Sequence, residues 1–204
     1  MPSPTTAARR ARTRPAGVPS PWQMFFTEFL KHPVMVGSIV PSSDKLIRKM
    51  LGRVDWDNTK VFVEYGPGVG TFCRPILDRM APDATLIVID TNPEFIQYLR
   101  HTITDPRFFA VLGSADAVET IVADHGFEKA DYVLSGLPFS TLPPGVGPAI
   151  ATATHSVLRT GGAFLVYQFS PKVKDFLTPH FDAIDHDMEW WNVPPAQLYW
   201  AWKA

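Results

Sequence analysis

From about residue 60 onward, short apolar runs alternate with amphipathic stretches. Val61–Tyr65 reads as a buried strand, followed by glycines at 66, 68 and 70 and a helix from Phe72 to about Met80. Thr85–Asp90, Phe108–Leu112, Ala130–Leu134 and Ala163–Gln168 read as further strands. Helices over Pro93–Thr102, Val118–Asp124 and Pro148–Leu158 separate them, and a short helix covers Lys172–Leu177. Two last strands, roughly Ile184–Trp191 and Leu198–Lys203, flank Asn192-Val193-Pro194-Pro195. This repeat predicts an α/β fold: a doubly wound, mostly parallel seven-stranded sheet with a terminal antiparallel hairpin.

The pattern upstream is different. Residues 1–20 are rich in Pro, Ala, Thr and Arg without apolar periodicity, and read as a disordered basic arm. Trp22, Phe25, Phe26, Phe29 and Leu30 then repeat at helical spacing, so residues 21–32 form an amphipathic helix that His32-Pro33 ends. A second helix starts at Pro41-Ser42-Ser43-Asp44 and runs to about Gly52, with Leu46, Ile47, Met50 and Leu51 inward. Residues 33–204 make up the folded domain.

Composition adds exclusions. With 204 residues and 46% hydrophobic content, the chain can bury a core. A single cysteine, Cys73, excludes an intrachain disulfide and a cysteine zinc site; it reads as a small packing residue. The six histidines show no metal-ligand spacing, so no metal is expected. No stretch of about 18–20 apolar residues is present, so no membrane-spanning helix is expected. The Arg-rich start has a transit-peptide flavour but leads straight into the folded part, so a cytoplasmic location is expected. The net charge of −1 conceals a split. Residues 1–32 hold Arg9, Arg10, Arg12, Arg14 and Lys31 against Glu28, a net +4, and the other 172 residues carry a net −5.

The strongest local signal is the run Glu64-Tyr65-Gly66-Pro67-Gly68-Val69-Gly70 between strand and helix. Glycines there let backbone approach a ligand, and the carboxyl ends of the strands form the ligand crevice of such sheets. The spacing departs from the G-x-G-x-x-G that seats a pyrophosphate, and no Walker lysine is present. An acid at 64 would repel a pyrophosphate and attract an ammonium. Asp90, with Thr91 and Asn92 behind it, ends the second strand and suits the two hydroxyls of a ribose. Ser114-Ala115-Asp116 follows the third strand, where a carboxylate can accept from an adenine amino group. Together these features point to S-adenosylmethionine, which has a cationic amino-acid end and no phosphate. Ser42 and Ser43, at a helix start, suit the cofactor carboxylate or a lipid phosphate as well as a plain cap. Lys45 and Arg48 read as a solvated face.

On these residues the chain resembles the class I S-adenosylmethionine-dependent methyltransferases over about residues 35–204, whose fold is Rossmann-like. The resemblance makes Glu64–Gly70 the glycine motif, Asp90 the ribose acid and Asp116 the adenine acid. It also makes Ser135, Gly136, Leu137 and Pro138, after the fourth strand, the place where the methyl acceptor is presented. Leu137-Pro138-Phe139 is similar to the adenine dimethyltransferases of ribosomal RNA, but Gly136 stands where those carry Asn. That departure and the acidic body argue against RNA.

A closer resemblance, over about residues 22–204, is to the soluble bacterial phospholipid N-methyltransferases. It rests on Phe29–Pro33 leading into Val36-Gly37-Ser38-Ile39-Val40-Pro41-Ser42-Ser43, on Ser135–Pro138 and on Asn192–Ala196. It implies methylation of phosphatidylethanolamine towards phosphatidylcholine by a peripheral enzyme on the inner face of the cell membrane. An amphipathic helix would hold that enzyme on anionic phospholipid. The aromatic face of residues 21–32 with its basic neighbours fits such a helix, although packing on the sheet is the plainer reading of the stripe alone. Tyr65 and Phe139 stand as candidates to hold a methylated ammonium by cation–π contact. His180 and Tyr199 are weaker candidates for the acceptor pocket. An RNA adenine methyltransferase and a non-catalytic cofactor-binding protein are the alternatives.

Overall fold

The structure is a computed structural model that describes residues 44–192 and 195–204. The basic arm, the amphipathic helix with its membrane-binding residues, and Ser42 and Ser43 lie outside the described residues.

Seven strands form one sheet: β1 Val61–Tyr65, β2 Thr85–Asp90, β3 Phe108–Leu112, β4 Ala130–Ser135, β5 Leu158–Gln168, β6 Ala183–Glu189 and β7 Ala196–Trp202. Their spatial order is β3-β2-β1-β4-β5-β7-β6. The first five run parallel, and β7 lies antiparallel to both β5 and β6. This is the expected Rossmann-like sheet with its terminal hairpin. The main helices are α1 Asp44–Leu51, α2 Cys73–Leu77, α3 Pro93–Thr102, α4 Val118–Asp124, α5 Val146–Val157 and α6 Val173–Leu177.

Each central strand is apolar at almost every position because both faces are covered. Val61, Val63 and Tyr65 join Ile150, Val157 and Val173 on one side. Phe62 points to the other, with Leu46, Met50, Ile76, Leu99 and Trp200. Glu64 shares the Phe62 face by the alternation of the strand. Helix α1 buries the expected Leu46, Ile47, Met50 and Leu51. It is tied to the hairpin by Trp200 Nε1, which donates to the Met50 carbonyl at 3.0 Å, and by Lys49 Nζ, which donates to the Met188 carbonyl at 2.6 Å.

Several boundaries depart from the pattern: α5 starts at Val146 and β7 at Ala196, each two residues early, and three more shifts have local causes. Helix α2 stops at Leu77 instead of continuing to Met80, and tight turns close over Asp78–Met80 ahead of Pro82. Strand β5 begins at Leu158, five residues early, through an irregular stretch that contains Gly161 at φ +75°. Strand β6 ends at Glu189, two residues early, because the buried Glu189 carboxylate accepts from the Trp191 backbone N–H at 3.0 Å and turns the chain away. Among the described residues no helix is long and apolar enough to cross a membrane.

At the opposite end of the sheet from the glycine loop, Asp131 holds β4 to β1. Its Oδ2 accepts from the backbone N–H of Lys60 and of Val61, both at 2.8 Å, and its Oδ1 accepts from Arg159 Nε. Removing it leaves the buried Val61 N–H without a partner. Asp131→Ala is therefore expected to lower unfolding free energy by about 3 kcal/mol in urea titration, while cofactor affinity stays unchanged.

Candidate active site

A pocket opens at the carboxyl ends of β1, β2, β3 and β4. Tyr65 and Gly66, Asp90 and Thr91, Gly113 and Ala115, and Leu137 line it. With Ile89, the lining is drawn from the ends of four successive strands.

Local sequence explains the shape of the loop. Gly66, Gly68 and Gly70 all have positive φ, at +63°, +55° and +83°. A Cβ on Gly66 would lie 2.8 Å from Leu137 Cδ2, and one on Gly70 would lie 2.6 Å from Leu99 Cδ2. The loop can therefore press against both neighbours only as glycine. Around Gly68 a Cβ would meet nothing within 4 Å, so that glycine borders open space. Asn92 caps α3 by accepting from the Glu94 N–H at 2.8 Å, which fixes the turn that follows Asp90.

Two buried carboxylates dominate the electrostatics. Glu64 is 2% exposed, and burial raises its pKa to about 7. The Cys73 thiol donates to Glu64 Oε2 at 3.3 Å, which opposes the rise, and nearby Asp90 adds to it. Cys73 itself is buried with its pKa pushed up by that burial and by Glu64, consistent with the packing role expected of it. Asp90 is 3% exposed, and its pKa rises to about 6, again through burial. Its Oδ1 accepts from the Asn92 N–H at 2.8 Å, while among the described residues its buried Oδ2 has no partner. Ser114 Oγ is likewise buried and unpartnered. Asp116 is exposed on the single 3₁₀ turn Ala115–Ala117.

The Ser135–Pro138 turn is tightly committed. Ser135 is fully buried, and its Oγ accepts from the Leu137 N–H at 3.1 Å. The Leu137 carbonyl accepts from Gln168 Nε2 and from the Phe139 N–H, and the Pro138 carbonyl from the Thr141 N–H. The Gly136 carbonyl has no such partner among the described residues. A Cβ on Gly136 would fall 2.2 Å from the Tyr167 hydroxyl, so Tyr167 fills the space where a side chain at 136 would stand. Phe72 stacks on the Tyr167 ring at 5.1 Å. Tyr167 and Gln168 were not anticipated. Their only sequence signal is an aromatic and an amide at the carboxyl end of a strand, a signal too common to single them out.

The cation–π candidates require correction. The Tyr65 ring is fully buried, with its hydroxyl 3.1 Å from Thr154 Oγ1. Phe139 is 1% exposed and packs on Phe164 and Phe176. Core packing claims both rings, and Tyr65 borders the pocket without exposing its ring. Tyr199 is also buried, donates to Gln197 Oε1 at 2.8 Å and stacks on His186, away from the pocket lining. His180, which follows α6, does not line it either.

No protein-family model matches the chain. An ornithine lipid N-methyltransferase from Singulisphaera acidiphila is 33% identical over 178 residues, covering 86% of this chain and 93% of that protein. The chain belongs to that methyltransferase family. Solved structures agree on the fold. A precorrin-6y C5,15-methyltransferase from Geobacter metallireducens has a TM-score of 0.62 at 16% identity, covering 78% of this chain and 88% of that one. The N-methyltransferase NodS from Bradyrhizobium japonicum also has a TM-score of 0.62, at 14% identity, covering 82% and 99%. S-adenosylmethionine is the expected cofactor of this methyltransferase. Asp90 lines the pocket with its Oδ2 unpartnered among the described residues, and the buried Glu64 carboxylate and Ser114 Oγ belong to the neighbours of lining residues Tyr65 and Ala115.

The acids give a pH signature of defined sign. A carboxyl whose folded pKa is raised adds stability below its ordinary pKa and loses it as pH rises through the folded value. Without cofactor, stability should therefore fall between about pH 4.5 and 7 through Glu64, and between about 3.8 and 6 through Asp90. Glu64→Gln should flatten the upper part of that curve and raise stability at pH 8 by on the order of 3 kcal/mol, read by urea titration. The same variant should bind S-adenosylmethionine about 10- to 100-fold more weakly in calorimetry.

Proposed function

We propose that this methyltransferase transfers methyl groups from S-adenosylmethionine to the amine of a membrane lipid head group. The observation that carries the reading is the 33% identity to an ornithine lipid N-methyltransferase along nearly the whole of both chains. By that relative's name the acceptor is an ornithine lipid. The resemblance of Val36–Ser43, Ser135–Pro138 and Asn192–Ala196 to phospholipid N-methyltransferases favours phosphatidylethanolamine as a second acceptor. Both lipids carry a primary amine at the membrane surface, and the same chemistry serves either.

The bound cofactor supplies a methyl group already activated by a sulfonium charge. The chain's own residues then have to bind, orient and exclude water. Ionised Glu64 and Asp90 neutralise and hydrogen-bond the cofactor, with Asp90 Oδ2 and Ser114 Oγ as the atoms still open to it. The glycine loop lets backbone stand against it. The Ser135–Pro138 turn borders the acceptor side. Its Leu137 and Pro138 carbonyls are already engaged, which leaves the Gly136 carbonyl to face an amine. The Tyr167 hydroxyl occupies the position from which an Asn side chain would grip a flipped adenine. That packing favours a small amine over an RNA base.

Purified full-length protein with labelled S-adenosylmethionine should label vesicles containing ornithine lipid or phosphatidylethanolamine, and should leave ribosomal RNA unlabelled. Label in RNA alone would overturn the reading. The ratio of label in the two lipids assigns the preferred head group.

A further inference from the structure

Trp190 and Trp191 are 69% and 77% exposed, the two most exposed large hydrophobic side chains of the described residues. Single exposed apolar residues are ordinary, but two adjacent tryptophans in water bring no folding gain. The fold holds them out deliberately. Glu189 turns the chain at the end of β6 through its bond to the Trp191 N–H.

Their location gives the exposure a direction. The registers Glu189 with Ala196 and Gln168 with Gln197 place the β6–β7 turn at the carboxyl end of β5. Phe169, 38% exposed, follows β5 at that same end. The pocket of β1, β2 and β4 opens there too. Three strand spacings separate β4 from β6, about 14 Å. Charge at this end is mixed: bases gather around the turn, while exposed Glu94, Asp116 and Glu119 lie across the pocket beyond β2 and β3. Lys45 Nζ sits 4.8 Å over the Trp191 ring, and Arg48, Lys172 and Lys174 are exposed, against exposed Asp44 and Asp175.

Tryptophan favours the membrane–water interface, where its ring meets acyl chains and its N–H meets water. We propose that the Trp190–Trp191 turn is a membrane contact that sets the pocket end of the sheet against an anionic bilayer. The inference rests on the lipid-acceptor reading: a head-group amine stays in the bilayer, so the pocket has to come to it. Basic neighbours add attraction to anionic lipid.

The test compares the full chain with W190A/W191A and W190F/W191F, using vesicles of phosphatidylglycerol and phosphatidylcholine. Neither lipid offers a methylatable amine, so binding is read apart from catalysis. The alanine variant should bind these vesicles about tenfold more weakly, the phenylalanine variant should keep most of the binding, and both should bind S-adenosylmethionine like the parent. Brominated acyl chains should quench tryptophan fluorescence in the parent and much less in the phenylalanine variant. Vesicle binding of W190A/W191A within twofold of the parent would overturn the inference. So would unchanged vesicle binding with a loss of dimer in light scattering, which would make the turn a contact between copies. Failure to methylate any lipid, with vesicle binding still dependent on the tryptophans, would strike the lipid-acceptor reading and leave the membrane contact standing.

Discussion

Burying a carboxylate without a cation is the constraint around which this molecule is organised. Glu64 lies in a strand whose five side chains are all buried, and Asp90 ends the strand next to it. Among the described residues neither has a basic partner, and a thiol and backbone N–H groups donate to them. Their pKa values rise to about 7 and about 6 as a result. A protein selected only for stability would replace both with apolar residues. Both lie at the strand ends that border the pocket, so a cation bound there would offset the cost of ionising them.

The neighbouring packing follows from that need for a close, dry cradle. Gly66 is pressed on Leu137 and Gly70 on Leu99, so the loop after β1 is locked to the turn after β4 and to α3. The turn after β4 is locked in its own way, through Ser135, Gln168 and the Tyr167 hydroxyl standing against Gly136. Glycine at 136 is therefore a consequence of tyrosine at 167. The departure from the adenine methyltransferase pattern, which in the sequence is a missing side chain, becomes in the structure a substituted one.

Much of this was legible in the sequence because parallel sheets write themselves as uninterrupted apolar runs. Strands β1, β2 and β3 and helices α3 and α4 occupy the residues that periodicity alone assigns. The acids and glycines were legible because each sits at a strand end followed by a turn. What escaped was decided by contacts distant in sequence. Periodicity carries β6 through Trp191, but one bond from Glu189 ends it. Tyr65 and Phe139 look available to a ligand as residue types, yet packing on Phe164 removes both rings. Tyr167 and Gln168 matter only because β5 lies beside β4, a pairing that composition does not announce.

The same electrostatics bear on how such a body could approach a lipid surface. Outside residues 1–32 the chain carries a net −5, part of it Glu64 and Asp90. An anionic bilayer repels that charge as a whole. Screening at physiological salt confines the repulsion to about 8 Å, so only the charges on the approaching face count. At the carboxyl end of the sheet Glu64 and Asp90 are buried, and Asp187 is paired with Lys49 at 2.9 Å. The exposed remainder there sets Lys45, Arg48, Lys172 and Lys174 and two neutral tryptophans beside Asp44 and Asp175, with Glu94, Asp116 and Glu119 farther off beyond β2 and β3. Burial of Glu64 and Asp90 thus strengthens the pull of either, once ionised, on a cation in the pocket, and takes both out of the exposed charge at that end of the sheet.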